Sequence, residues 1–147
     1  MPLVENRVII KDADLDTVWR VMCDFESFPR LMQDVIEVTC FDRTPDSCQS
    51  SWKVLLNGSE LTWIEHDTFK DRQEIAFHQL EGDLEIWHGK WQIRPEAGQI
   101  VVDLIVEFDL GIPSLAAILD PIGIRAIAAN ARQMLEAIDL HSKAAVA

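Results

Sequence analysis

Moving protons on an apolar substrate requires a carboxylate or imidazole held among apolar walls, and one stretch of this sequence has that composition. Leu61-Thr62-Trp63-Ile64-Glu65-His66-Asp67 is followed, across a short turn, by Ile75-Ala76-Phe77-His78. If both segments are strands, alternation puts Trp63, Glu65 and Asp67 on one face and Ala76, His78 and Leu80 on one face of the next strand. With Lys70 opposite Gln73 across the turn, Glu65 lies opposite His78, within hydrogen-bonding reach. A carboxylate there orients an imidazole and raises its basicity for general acid or base work. Glu65 and His78 are therefore the candidate catalytic pair, with Asp67 assisting. The competing reading is an ordinary polar contact on a solvated face, because a slip of one residue separates the two.

Other chemistries find little support. His66 and His88 fall on the opposite alternation from Glu65 and Trp87 and read as exposed strand histidines. No His-x-His, His-Glu-x-x-His or paired-cysteine spacing is present, so no metal site is expected. Glycines occur singly, leaving no phosphate-cradling loop and no expected nucleotide cofactor, and no nucleophile elbow or reactive-cysteine signature appears. The aromatic residues are unusual: five Trp, six Phe and no Tyr. Trp87 and Trp91 share a face with Gly89 between them, which would leave space beside flat indole walls suited to a planar or polyene ligand. Simple core filling is the alternative.

These residues need elements to place them. Val4 to Ile10 reads as a first strand. Asp14 is a candidate helix cap, ahead of Leu15, Val18, Trp19 and Met22 on one helical face. Phe25 to Met32 reads as a second short helix, with Pro29 in its first turn. The period then becomes extended, giving strands over Val35–Phe41, Ser51–Leu56, Leu61–Phe69, Gln73–Leu80, Leu84–Arg94 and Ile100–Leu110, joined by short turns as in an antiparallel meander. From Ser114, a plausible N-cap, a helical pattern runs to about His141. Its apolar stripe is Leu115, Ile118, Leu119, Ile122, Ile127, Ala131, Met134 and Ile138, and Pro121 is a candidate kink. Asn130 falls on the striped side, where its amide could meet a ligand carbonyl or a backbone group. The reading is α+β: a curved antiparallel sheet wrapped around a long C-terminal helix, with two short helices after the first strand and a cavity between sheet and helix.

The whole chain of 147 residues reads as one domain. Its 13 Lys and Arg against 25 Asp and Glu give a net charge of −12. Such a surface repels phosphate backbones and anionic lipids, so neither nucleic-acid nor membrane binding is expected. Cys23, Cys40 and Cys48 are an odd number at spacings matching no zinc or thioredoxin motif, and the first residues lack the layout of a signal peptide, so a reducing cytoplasm is the expected location.

The element order resembles the START-like helix-grip superfamily. Val18-Trp19-Arg20-Val21-Met22-Cys23-Asp24-Phe25-Glu26-Ser27-Phe28-Pro29 is similar to the helix-to-helix signature of polyketide aromatase/cyclases and coenzyme Q-binding relatives. Thr62-Trp63, Ile75-Ala76-Phe77-His78-Gln79 and Gly89-Lys90-Trp91 fall where aromatase/cyclases carry three strand motifs. The resemblance also exposes a departure: those enzymes commonly place cavity arginines on two strands, where this chain has Asp67 and His78. What it implies is a cofactor-independent enzyme that folds a poly-β-ketone or polyene chain and promotes cyclisation and dehydration. Glu65 and His78 would move protons, with Asp67 and Asn130 assisting, and Phe28, Trp63, Trp87, Trp91 and Met134 would form the walls. The alternative is a non-catalytic carrier of a quinone, lipid or polyketide. A third reading is an interaction protein whose cavity is filled by its own side chains. An acyl carrier protein is a candidate partner, docking at a patch including Arg94, Arg125 or Arg132, and a homodimer is left open.

Overall fold

The structure is a computed structural model, and it describes residues 3–56, 58–109 and 116–146, with side chains for all of these except 116–120 and 144–146. Leu3–Ile10 forms β1, and Leu15–Cys23 forms α1. Asp14 caps α1 by accepting from the Thr17 amide at 2.7 Å, which satisfies one of the amides that a helix start leaves free. The apolar spacing then turns Val18, Trp19 and Met22 inward, all buried. A 3₁₀ turn over Phe25–Ser27 leads into the four-residue α2, Phe28–Leu31, with Pro29 in its first turn, where no amide partner is needed.

Six strands follow: β2 (Val35–Phe41), β3 (Ser47–Leu56), β4 (Ser59–Lys70), β5 (Glu74–Gly82), β6 (Ile86–Glu96) and β7 (Gln99–Asp109). The meander is therefore as expected. The sheet has seven antiparallel strands in the order β1-β7-β6-β5-β4-β3-β2, so β1 returns to pair with β7 at the far edge. Helix α3, Ala116–Val146, lies across the inner face and packs against β1, β3, β7 and α1. Ile127, Ala131, Met134 and Ile138 of the expected stripe are buried beneath it, together with Leu135. Ile122 instead lies 42% exposed. Ser114 and Leu115 lie outside the described residues, as do the side chains of Ile118 and Leu119.

Two glycines mark places where backbones approach closely. At Gly82, opposite Trp63, a Cβ would fall 2.4 Å from the Trp63 Cβ. At Gly89 it would fall 2.0 Å from the Ile105 carbonyl oxygen and 2.9 Å from the Phe77 ring. The space expected beside Gly89 is therefore taken up by Phe77 and by the neighbouring strand.

Candidate functional site

The expected Glu65–His78 pair does not form. The turn after β4 spans Asp71, Arg72 and Gln73, closed by the Gln73 amide donating to the Lys70 carbonyl at 2.9 Å, and Arg72 takes a positive φ of 56°. Lys70 consequently faces Glu74, one residue beyond the two-residue turn assumed from sequence. Every side chain of β5 thereby changes face. Glu65 faces Gln79, and His78 faces His66 on the outer surface, their rings 5.5 Å apart. His78 is exposed and meets no part of the interior. His88, as expected, is also turned outward, 3.4 Å from Glu107.

Glu65 and Asp67 do point inward, 4% and 0% exposed. The strand that organises them is β3, whose alternation buries Cys48, Ser50, Trp52, Val54 and Leu56. Cys48 lies opposite Asp67, Ser50 opposite Glu65, and Trp52 opposite Trp63. The Trp52 and Trp63 rings stack in parallel with centroids 5.9 Å apart. Trp63 Nε1 donates to Glu65 Oε1 at 2.7 Å. Trp52 Nε1 donates to Ser50 Oγ at 2.7 Å, and Ser50 Oγ donates to Asp67 Oδ2 at 2.5 Å. The Cys48 thiol approaches the same oxygen at 3.7 Å.

Burial pushes the Glu65 carboxyl well above the usual carboxylate range, and its hydrogen bond and like-charge contact with Asp67 push it further. The indoles of Trp63 and Trp87 oppose this only in part. Asp67 is also raised by burial, against the hydrogen bonds it receives from Glu65, Ser50 and Cys48. Two neighbouring buried carboxyls resist carrying two negative charges at once.

Glu65 borders a cavity of about 30 Å³ between the sheet and α3, walled by Trp52, Trp63, Trp87, Trp91, Asn130 and Met134. That volume admits about one water molecule, so a larger ligand requires side chains to give way. Two buried donors at this wall close no hydrogen bond, Asn130 Nδ2 and Trp87 Nε1, the latter a neighbour of Glu65. Asn130 also borders an outer groove of about 610 Å³ formed with Asp34, Leu55, Gly58, Ile122 and Arg125, and so stands between groove and cavity. Phe28, expected as a wall, is not one. It is fully buried in an aromatic cluster with Phe25, Trp52 and Trp91, behind the cavity.

The thiols are poor nucleophiles: burial pushes Cys23 and Cys48 up to about 12 and Cys40 to about 11. Among the described residues no three His, Cys, Asp or Glu side chains converge on a metal-sized site, and no helix is long and apolar enough to cross a membrane. Of the candidate docking arginines, Arg94 is bound to Asp103 and Glu96, while Arg125 lines the groove.

Ser50 and Cys48 escaped the sequence reading because the polar run Asp46-Ser47-Cys48-Gln49-Ser50 resembles a turn, and β3 was expected to begin only at Ser51. Carrying the alternation of Trp52, Val54 and Leu56 backwards places both residues on the inner face.

Comparison with known proteins agrees with this architecture. A family model described as "Polyketide cyclase / dehydrase and lipid transport" matches residues 12–135. No curated protein matches. Among solved structures, a Thermus thermophilus protein is 23% identical with a TM-score of 0.91, covering 99% of this chain and 100% of that one. The Zhui aromatase/cyclase of a Streptomyces species is 19% identical with a TM-score of 0.82, over 99% of this chain and 96% of that one. A STAR-related lipid transfer protein of Xanthomonas axonopodis is 17% identical with a TM-score of 0.73, over 95% of this chain and 84% of that one. At these identities the likeness is one of fold, the START-like helix-grip arrangement of sheet and C-terminal helix.

Proposed function

Since the chain belongs to the polyketide cyclase/dehydrase and lipid transport family, we propose that it is a cyclase/dehydratase that closes and dehydrates a poly-β-ketone or related polyene chain between the sheet and α3. Glu65 would be the catalytic residue, with Asp67 behind it. The observation that carries this reading is the buried Glu65–Asp67 pair, opening through Glu65 onto a tryptophan-walled cavity. Burying two carboxyls costs several kcal/mol that a purely apolar container has no need to spend.

In such a reaction the ring-forming step takes a proton from an α-carbon, forms a C–C bond to a ketone carbon and places a proton on its oxygen. Dehydration takes a second α-proton as the hydroxyl leaves, protonated, as water and a C=C bond forms. Each step moves one proton from carbon to oxygen, so a carboxyl pair sharing one proton ends each step with the charge it began with. No electrons are exchanged with a partner, so the reaction needs no redox cofactor. Trp87 Nε1 and Asn130 Nδ2 would hold ketone oxygens, while Trp63, Trp91 and Met134 would confine the chain and restrict its conformers. A carrier-tethered substrate would reach the cavity through the groove past Arg125, and the three free thiols suit a reducing, cytoplasmic setting.

A carrier role for an apolar molecule is the second reading, favoured by the almost wholly apolar wall. Incubation with synthetic poly-β-ketone thioesters, followed by mass spectrometry, separates the two. Products lighter by one water support the cyclase/dehydratase. Ligand bound and recovered unchanged across the panel supports the carrier.

A further inference from the structure

The directions of the hydrogen bonds beneath Glu65 decide which carboxyl of the pair holds the proton. An indole N–H can only donate. Trp52 Nε1 therefore gives its hydrogen to Ser50 Oγ at 2.7 Å, and the Ser50 hydroxyl hydrogen is left to point at Asp67 Oδ2, 2.5 Å away. The Cys48 thiol donates toward that same oxygen. Asp67 Oδ2 thus receives two donors and has no place for a proton of its own. Asp67 Oδ1 is buried and meets no N–H or hydroxyl among the described residues, and the carboxyl that interacts with Asp67 is that of Glu65. On Glu65 the same logic applies: Trp63 Nε1 donates to Oε1 at 2.7 Å, so Oε1 is an acceptor and the remaining oxygen, Oε2, is the one free to carry hydrogen. Asp67 therefore closes hydrogen bonds with two donors and Glu65 with one, so the negative charge is better met on Asp67 and the proton the pair shares falls to Glu65.

We infer that Trp52 and Ser50 are positioning residues that fix Asp67 as the charged member of the pair and Glu65 as the neutral member, so that the carboxyl bordering the cavity meets its ligand as an acid. This rests on the proposed role of Glu65 as the group that exchanges protons with the substrate. The neighbouring groups that titrate are Cys48 on β3, Cys40 on β2 and His66, which is on β4 itself but faces outward. From β5 the pair is faced by Phe77 and Gln79, and Trp87 of β6 and Asn130 and Met134 of α3 share its cavity; none of these titrates.

The test is carbon-detected NMR of the side-chain carboxyls across pH, on the full chain labelled at Glu and Asp. At pH 7 the Glu65 Cδ should report a protonated acid and the Asp67 Cγ a carboxylate. Ser50→Ala removes the donor to Asp67 and should pull proton density onto Asp67, lowering the apparent Glu65 midpoint by about one pH unit, a tenfold change in occupancy. Ser50→Thr keeps the hydroxyl and should restore wild-type midpoints, which a merely structural role for Ser50 would not require. Should Ser50→Ala fail to fold, Trp52→Phe keeps a ring but frees the Ser50 hydroxyl to rotate, and a smaller shift in the same direction is expected. A charged Glu65 beside a protonated Asp67 at pH 7, or midpoints unmoved in the folded variants, overturns the inference. A protonated Glu65 in a protein that turns over no poly-β-ketone would leave this proton assignment standing and remove the cyclase reading instead.

Discussion

Replacing Glu65 with glutamine should make the protein more stable near neutral pH, by an amount that grows as pH rises. Glutamine reproduces the bonds of a neutral acid: its Oε1 can accept from Trp63 and its Nε2 can donate to the empty Asp67 Oδ1. What it removes is the titration. Glu65 in the folded protein titrates well above the ordinary carboxylate range because it is buried beside Asp67, whereas in the unfolded chain it titrates within that range. Between the two values the folded state holds a proton that the unfolded state has released. Wild-type stability therefore falls as pH rises through this window, by up to about 1.4 kcal/mol per pH unit. Below the unfolded value both states are protonated and the contribution vanishes. The assay is urea unfolding of wild type and Glu65→Gln at pH 4, 5, 6, 7 and 8. Taking the difference at each pH cancels the other titrating groups, apart from Asp67, which is coupled to Glu65. The two curves should meet near pH 4 and separate above it with the variant on top. A difference that stays flat from pH 4 to 8, or a variant that loses stability as pH rises, would refute the claim that Glu65 is held protonated.

Four further outcomes follow from the same geometry. Glu65→Gln and Asp67→Asn should each lower turnover by about 10²-fold or more, the usual scale for a lost acid–base group, whereas His78→Ala should leave it at the wild-type rate in a steady-state assay. Gly89→Ala should destabilise by about 3 kcal/mol in chemical denaturation, because its methyl would meet the Ile105 carbonyl, a backbone atom that cannot swing aside. Asp103, held below the usual carboxylate range by its hydrogen bonds to Arg7 and Arg94 despite partial burial, should stabilise the β1–β7 edge at neutral pH. That stability should be lost as pH falls through its depressed value, and Asp103→Asn should remove about 1 kcal/mol at pH 7 and progressively less as pH falls below the usual carboxylate range. Apolar diketones that open the cavity should quench tryptophan fluorescence, and Ala131→Leu, which projects into the same space, should abolish that quenching.

Much of the fold was legible because the hydrophobic period switches cleanly. Val18, Trp19 and Met22 announce a helix behind the Asp14 cap, and the six later strands alternate with turn residues between them. That Trp63, Glu65 and Asp67 share one face followed from alternation alone, because no pairing partner is needed to group side chains within one strand. His78 was lost where pairing did matter. A two-residue and a three-residue turn differ by one position, and nothing in Lys70-Asp71-Arg72-Gln73 declares that Arg72 will adopt a left-handed backbone. Phe28 was expected at the wall under the cyclase reading, but whether an aromatic faces a cavity or other rings is set by packing between elements distant in sequence. Ser50 shows a third limit. A serine carries no hydrophobic signal, so its burial becomes visible only once Trp52 Nε1 above it and Asp67 beside it have been located.

The measurement that bears most directly on catalysis by the buried pair is a side-by-side comparison of wild type and Glu65→Gln on one poly-β-ketone thioester, at equal occupancy established by tryptophan quenching. Wild type should convert the bound compound to a product lighter by one water, while the variant binds it within about threefold as tightly and releases it unchanged, the pattern of an interaction used only in the transition state. Equal water loss by both proteins, or none by either while both bind, would contradict the assignment of Glu65 as the group that moves the proton.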